Sequence, residues 1–145
     1  MAQAQRSEVF PVNRSAFYQT VIDYDAYPEF IDTIVDAKTL ETWDKGARVQ
    51  FTAHVVKNIT YVLELTHKPE RIVTWELVEG EIFKKVSGSW DLKARGKNKT
   101  EAVYTTEVEA KVYAPPMLVK QLVKHGLPKL MNQFYERALL IEGEG

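Results

Sequence analysis

From about Thr33 to Lys111 the apolar residues of this chain recur at every second position, and that run leaves few folds open to it. Val49, Phe51, Ala53 and Val55 alternate with Arg48, Gln50, Thr52 and His54. Ile59, Tyr61, Leu63 and Leu65 alternate with Thr60, Glu64 and Thr66, and Val73, Trp75 and Leu77 with Thr74 and Glu76. Val86, Gly88, Trp90 and Leu92 then alternate with Lys85, Ser87, Ser89 and Asp91. The last segment sets Ala102, Tyr104, Thr106, Val108 and Ala110 against Thr105, Glu107, Glu109 and Lys111. Turn residues separate the segments at Lys57-Asn58, Pro69-Glu70, Glu79-Gly80 and Arg95 to Lys99. Short links between alternating strands predict an antiparallel meander with one wet and one dry face. Something must cover the dry face.

The flanks supply the cover. Val9, Phe10 and Val12 predict a first strand ending near Pro11, and Asn13 fits the N-cap of a short helix carrying Phe17, Val21 and Tyr24 on one side. Tyr27 to Ile31 reads as a second brief helix, with Pro28 in its first turn. After Pro115-Pro116, the residues Leu118, Val119, Leu122, Val123, Leu127, Leu130, Met131, Phe134, Ala138 and Ile141 form a helical stripe. Gly126 and Pro128 interrupt it, at about 1 and 3 kcal/mol in a helix interior, so a kink or break is expected near Gly126. The expected fold class is α+β: a curved antiparallel sheet wrapped around a long C-terminal helix, with two short helices after the first strand. No linker, repeat or low-complexity stretch divides residues 1–145, so one domain is expected.

Composition narrows the chemistry. With no cysteine among 145 residues, disulfides, thiolate zinc sites, iron–sulfur clusters and cysteine nucleophiles are excluded. A formal charge of −1 provides no field for DNA. The N-terminus lacks an apolar signal region and no run is long enough for an integral membrane segment, so the expected location is cytoplasmic.

Particular residues add to this pattern. Val21-x-x-Tyr24-x-x-Tyr27-Pro28-x-Phe30-Ile31, then Trp75, Glu79-Gly80 with Phe83, Gly88-x-Trp90-x-Leu92 and Phe134-x-x-Arg137-Ala138 follow one another in fixed order. Over about Ser7 to Ile141 the chain resembles the START-like (SRPBCC) superfamily, in its polyketide cyclase/dehydrase and coenzyme Q-binding branch. The resemblance implies the helix-grip fold, also called START or birch-pollen-allergen-like. It also implies a deep apolar cavity between sheet and long helix for a hydrophobic small molecule or lipid, such as a quinone or polyketide. The same fold hosts carriers, cyclases and a ribosome-associating toxin, so it does not by itself select an activity.

The candidate ligand-binding residues are those of inward parity on the strands, Phe51, Val55, Tyr61, Leu63, Leu65, Val73, Trp75, Trp90 and Tyr104, faced by Val119, Val123, Leu127 and Met131 of the helix. Periodicity alone favours these side chains packing one another as core; the void is what the resemblance implies. No catalytic residue is assigned. His54 has outward parity, His125 lies beside the helix's polar face, and His67 stands at a strand end. Glu64, Glu76, Glu107 and Glu109 read as solvent-facing, and no His, Asp and Glu cluster has metal-ligand spacing, so neither metal nor cofactor is expected. A cyclase-like enzyme steered by Tyr61 or His67 is the alternative to a binding protein. Lys120, Lys124 and Lys129 lie in an acid-free stretch from Lys111 to Gln133, which reads as a solvated helix face or as a docking surface for an acidic partner or a ribosome.

Overall fold

The computed structural model describes residues 2–54, 57–111 and 126–144. Val55, Val119, Lys120, Val123, Lys124 and His125 lie outside the described residues.

Strand β1 spans Ala2–Phe10 and gives way at Pro11, which has no N–H to continue a ladder. Helix α1, Arg14–Ile22, follows at once: the Asn13 side chain accepts from the Ala16 N–H at 2.8 Å, supplying a partner to one of the free donors of the first turn. Phe17 and Val21 are buried on its inner side. A 3-10 turn over Tyr24–Ala26 leads into α2, Tyr27–Phe30, with Pro28 in the first turn where its missing donor is harmless.

The period-two run forms β2 (Ile34–Trp43), β3 (Gly46–His54), β4 (Asn58–Lys68), β5 (Ile72–Gly80), β6 (Phe83–Ala94) and β7 (Thr100–Ala110). Together with β1 they make a seven-stranded antiparallel sheet in the order β1-β7-β6-β5-β4-β3-β2. Two hairpin links use left-handed backbone, Glu70 at φ 62° and Gly96 at φ 124°. Bulges interrupt β2 at Val35 and Leu40, and β5 at Val78, which is skipped where Val62 and Leu63 of β4 face Glu79 and Leu77. Such insertions bend strands and raise the local twist, which curls a sheet towards whatever covers it.

The cover is α3, Leu127–Glu144. Its first intrahelical bond runs from the Leu130 N–H to the Gly126 carbonyl at 2.9 Å. Gly126 and Pro128 thus stand at a helix start, where neither carries the interior penalty that predicted a break. Leu127, Met131, Phe134 and Ala138 form the buried stripe. Helix α3 packs against α1 and is fastened to the first helical segment at three levels. The Asn13 N–H donates to Glu142 at 2.6 Å, Arg137 pairs with Glu29 at 2.9 Å and lies over the Phe30 ring, and Lys129 pairs with Asp32 at 2.5 Å. The convex face of the sheet is polar, with cross-strand pairs such as Arg48–Glu64 at 3.0 Å and Lys85–Glu107 at 3.4 Å. Exposed pairs of this kind add about 0–1 kcal/mol each, so burial beneath α1 and α3 carries the stability. Among the described residues, no helix is long and apolar enough to cross a membrane.

Candidate functional site

Between the concave face of the sheet and α3 lies a cavity of about 440 Å³. Its floor comes from alternate positions of consecutive strands, because only every second side chain points inward. Phe51 and Ala53 come from β3, Tyr61, Leu63 and Leu65 from β4, and Val73 and Trp75 from β5. Phe83, Val86 and Trp90 come from β6, and Tyr104, Thr106 and Val108 from β7. Val21, Tyr27, Ile31, Thr33 and Ile34 close one side, and Leu130 and Phe134 of α3 form the roof.

The geometry explains why the space stays open. Aromatic rings touch in a chain around it: Phe51–Tyr61 at 5.8 Å, Tyr61–Phe83 at 5.5 Å, Trp75–Tyr104 at 5.5 Å, Trp90–Tyr104 at 4.8 Å and Trp90–Phe134 at 5.0 Å between centroids. Most meet edge to face, the preferred contact of such rings. Rings braced against one another cannot fold inward the way a flexible aliphatic chain would.

The structure thus gathers Phe51, Tyr61, Leu63, Leu65, Val73, Trp75, Trp90 and Tyr104 around one space. Leu127 and Met131 are buried but do not border it. The apolar stripe of α3 is broader than the edge that reaches the cavity. At 3.6 residues per turn Leu130 and Phe134 share that edge, whereas Leu127, Met131 and Ala138 point away from it into solid core. Sequence reasoning also passed over the helical wall at Tyr27 and Ile31, and Phe83 beyond the β5–β6 turn. Tyr27, Ile31 and Phe83 are among the residues that carry the resemblance, and all three border the cavity.

The described residues that line the cavity include no Lys, Arg, Asp or Glu, and His54 stands at its mouth. Burial pushes the phenols of Tyr27 and Tyr61 well above the usual range, and that of Tyr104 up to about 12 despite a small opposing effect of Thr106. At neutral pH these hydroxyls therefore stay protonated and act as hydrogen-bond donors, not bases. The Tyr27 hydroxyl is already committed to the Val21 carbonyl at 2.5 Å. Tyr61 and Tyr104 bring theirs to the cavity wall.

The histidines do not converge. His54 is exposed at the cavity mouth, its Nδ1 2.8 Å from the Asn58 side-chain oxygen. His67 does not border the cavity; it meets the Tyr24 hydroxyl at 2.7 Å, and burial lowers its pKa. Among the described residues no His, Asp and Glu group is placed to hold a metal ion. Of Lys120, Lys124 and Lys129, only Lys129 is among the described residues, and it faces Asp32.

A curved antiparallel sheet closed by a C-terminal helix, with short helices after the first strand, defines a helix-grip protein of the START type. Residues 11–135 match the family model described as polyketide cyclase / dehydrase and lipid transport, and the chain belongs to that family. No curated protein matches it in sequence. Among solved structures it is similar to a START superfamily protein from Mycobacterium smegmatis, with a TM-score of 0.85 at 17% identity over 96% of this chain and 98% of that one. It is also similar to the Zhui aromatase/cyclase from Streptomyces sp. R1128, with a TM-score of 0.80 at 12% identity over 97% and 93% of the two chains. Human STARD10 gives a TM-score of 0.81 at 12% identity, over 94% of this chain and 63% of that one. At these identities the likeness is one of fold.

Proposed function

We propose that this protein binds or carries an uncharged hydrophobic small molecule in the cavity between the sheet and α3, without a catalytic centre of its own. The observation that carries the reading is the braced aromatic wall around about 440 Å³, whose described lining residues include no Lys, Arg, Asp or Glu. An ionised headgroup drawn into such a space would lose its hydration without gaining a partner. A ligand hiding about 300 Å² of apolar surface would gain roughly 7 kcal/mol before association costs, enough for loose to moderate binding. Quinones and cyclised polyketides have this character, and the Tyr61 and Tyr104 hydroxyls are suited to donate to their carbonyl oxygens. Phe51, Tyr61, Leu63, Leu65, Val73, Trp75, Trp90 and Tyr104 are the proposed contacts.

The cyclase reading has less support. It calls for a group that exchanges protons near neutral pH, whereas burial raises Tyr61 and His67 is turned to Tyr24. Native mass spectrometry of the purified protein, with solvent extraction of whatever it retains, tests the binding reading. The expected result is a neutral, ring-containing adduct displaced by added N-phenyl-1-naphthylamine. Protein that retains nothing and fails to enhance the fluorescence of that probe would overturn it.

A further inference from the structure

Strands β5 and β6 pair only from Ile72–Asp91 to Glu76–Ser87. Beyond that point β5 stays with β4, Leu77 opposite Leu63, Glu79 opposite Val62 and Gly80 opposite Tyr61, while β6 stays with β7 through Val86–Val108 and Phe83–Ala110. The two strands continue without each other, and the sheet has a seam. The bulge at Val78, which has no partner between Leu77 opposite Leu63 and Glu79 opposite Val62, lies at its edge and bends β5 away from β6.

Outside the seam is a second recess of about 620 Å³, on the convex side, whose walls include Gln50, Thr60, Val62 and Val78. Val62 has the outward parity of Gln50 and Thr60 yet is only 3% exposed, so the end of this hairpin folds over the outer face. Tyr61 and Phe83 border the inner cavity and the outer recess alike. Their rings meet edge to face at 5.5 Å, so a single pair of side chains partitions the two spaces.

We propose that this seam is a second opening of the cavity, and that the ligand is amphipathic, its apolar body inside and an uncharged polar end in the outer recess. The inference rests on the binding reading above. The recess differs from the cavity in chemistry, because Glu79 and Glu81 stand there with Lys84 and Lys111. Lys84 faces Glu109 at 3.8 Å and Lys111 donates to the Gly80 carbonyl at 2.9 Å, so the cations are already engaged. Counting Glu109, three acids stand against two bases among the described residues, a polar setting for hydroxyl, sugar or amide groups rather than for a phosphate or carboxylate.

Two probes separate the spaces: N-phenyl-1-naphthylamine, which is apolar throughout, and octyl glucoside below its micelle concentration, which has an uncharged polar end. Val78 is 45% exposed and borders the recess but not the cavity, so Val78→Trp fills the recess with little threat to folding. The expected result is a loss of about tenfold in octyl glucoside affinity, with N-phenyl-1-naphthylamine affinity kept within about twofold. Phe83→Ala, which widens the partition, should release N-phenyl-1-naphthylamine about tenfold faster. Unchanged octyl glucoside affinity in Val78→Trp, or an unchanged release rate in Phe83→Ala, overturns the seam and leaves the binding reading standing. Wild-type protein that takes up neither probe overturns both.

Discussion

The Tyr24 hydroxyl lies 2.7 Å from Nε2 of His67, with the two rings stacked at 5.8 Å, and so ties the turn after α1 to the far end of β4. Burial raises the phenol and lowers the imidazole, in each case by disfavouring the charged form. Tyr24 therefore donates, Nε2 accepts, and the ring proton sits on Nδ1.

This contact makes stability depend on pH. The unfolded chain protonates His67 near pH 6.5, whereas the fold holds the ring neutral to a lower value. Between those two points the unfolded state binds more protons, so stability rises with pH. The contribution is complete above about pH 6.5 and is lost as pH falls towards the folded-state value. Thermal unfolding from pH 7.5 to 5.5 is expected to show a shallower decline in His67→Gln than in wild type, since Gln still accepts from Tyr24 but cannot titrate. Parallel declines would count against the assignment.

Trp90 and Trp75 both border the cavity, yet they should differ in what their loss does. Trp90 is 2% exposed and meets Phe17, Tyr104 and Phe134, joining the sheet to both α1 and α3. Trp90→Ala is expected to destabilise by about 3–5 kcal/mol in urea unfolding. Trp75 has open space on one side and the Tyr104 ring on another, and forfeits fewer contacts. Trp75→Ala should therefore be the milder of the two. The reverse order in urea midpoints would contradict this division.

How much of this was legible in the sequence depends on how local each signal is. Strand faces were readable because a half-buried strand must alternate, and the Asn13 cap was readable because its partner, Ala16, lies three residues away. The phase of α3 was not: a stripe reveals which side is buried but not which edge of it meets a void, and Leu130 and Phe134 displaced Leu127 and Met131 on that ground. Thr100 is fully buried because its hydroxyl donates to the Val12 carbonyl at 2.8 Å, a partner that only the closed fold brings near. The β5–β6 seam has no mark in the sequence, since both strands keep their alternation while parting. Pairing is a property of two segments, and neither carries it alone.

The Asp32–Lys129 pair fastens the start of α3 to the loop that precedes β2, beside Thr33 and Leu130 at the cavity wall. Hydrogen bonds from Lys129 and Gln133 hold the Asp32 carboxyl below its usual range. Its stabilising effect is present above the unfolded carboxylate pKa of about 3.9 and is lost as pH falls through the lower, folded value. Both side chains are half exposed or more, so screening keeps that effect small. Asp32→Asn is expected to change stability by less than about 1 kcal/mol at pH 7, and by less still in 0.5 M salt. Stopped-flow measurement should nonetheless show faster release of N-phenyl-1-naphthylamine, because one tie of the roof is gone. A slower release would mean that the pair does not restrain the roof.

Gly88 tests how tightly the wall is built. A Cβ there would come within 2.4 Å of the Thr105 carbonyl oxygen and 2.5 Å of Cζ2 of Trp75. The indole of Trp75 thus lies flat on β6 only because this position has no side chain, and from there it leans on Tyr104 at 5.5 Å with a 38° tilt. Gly88→Ala should destabilise by about 1–3 kcal/mol, the usual range for overpacking. It should also shift tryptophan emission as the displaced indole moves into the cavity. Two neighbours oppose the added methyl, and only one of them is a side chain. Trimming the indole in Gly88→Ala/Trp75→Leu is therefore expected to recover part of the loss, measured against Trp75→Leu alone, while the backbone clash at Thr105 keeps the remainder. Strict additivity of the two substitutions would show that Trp75 does not depend on the missing side chain.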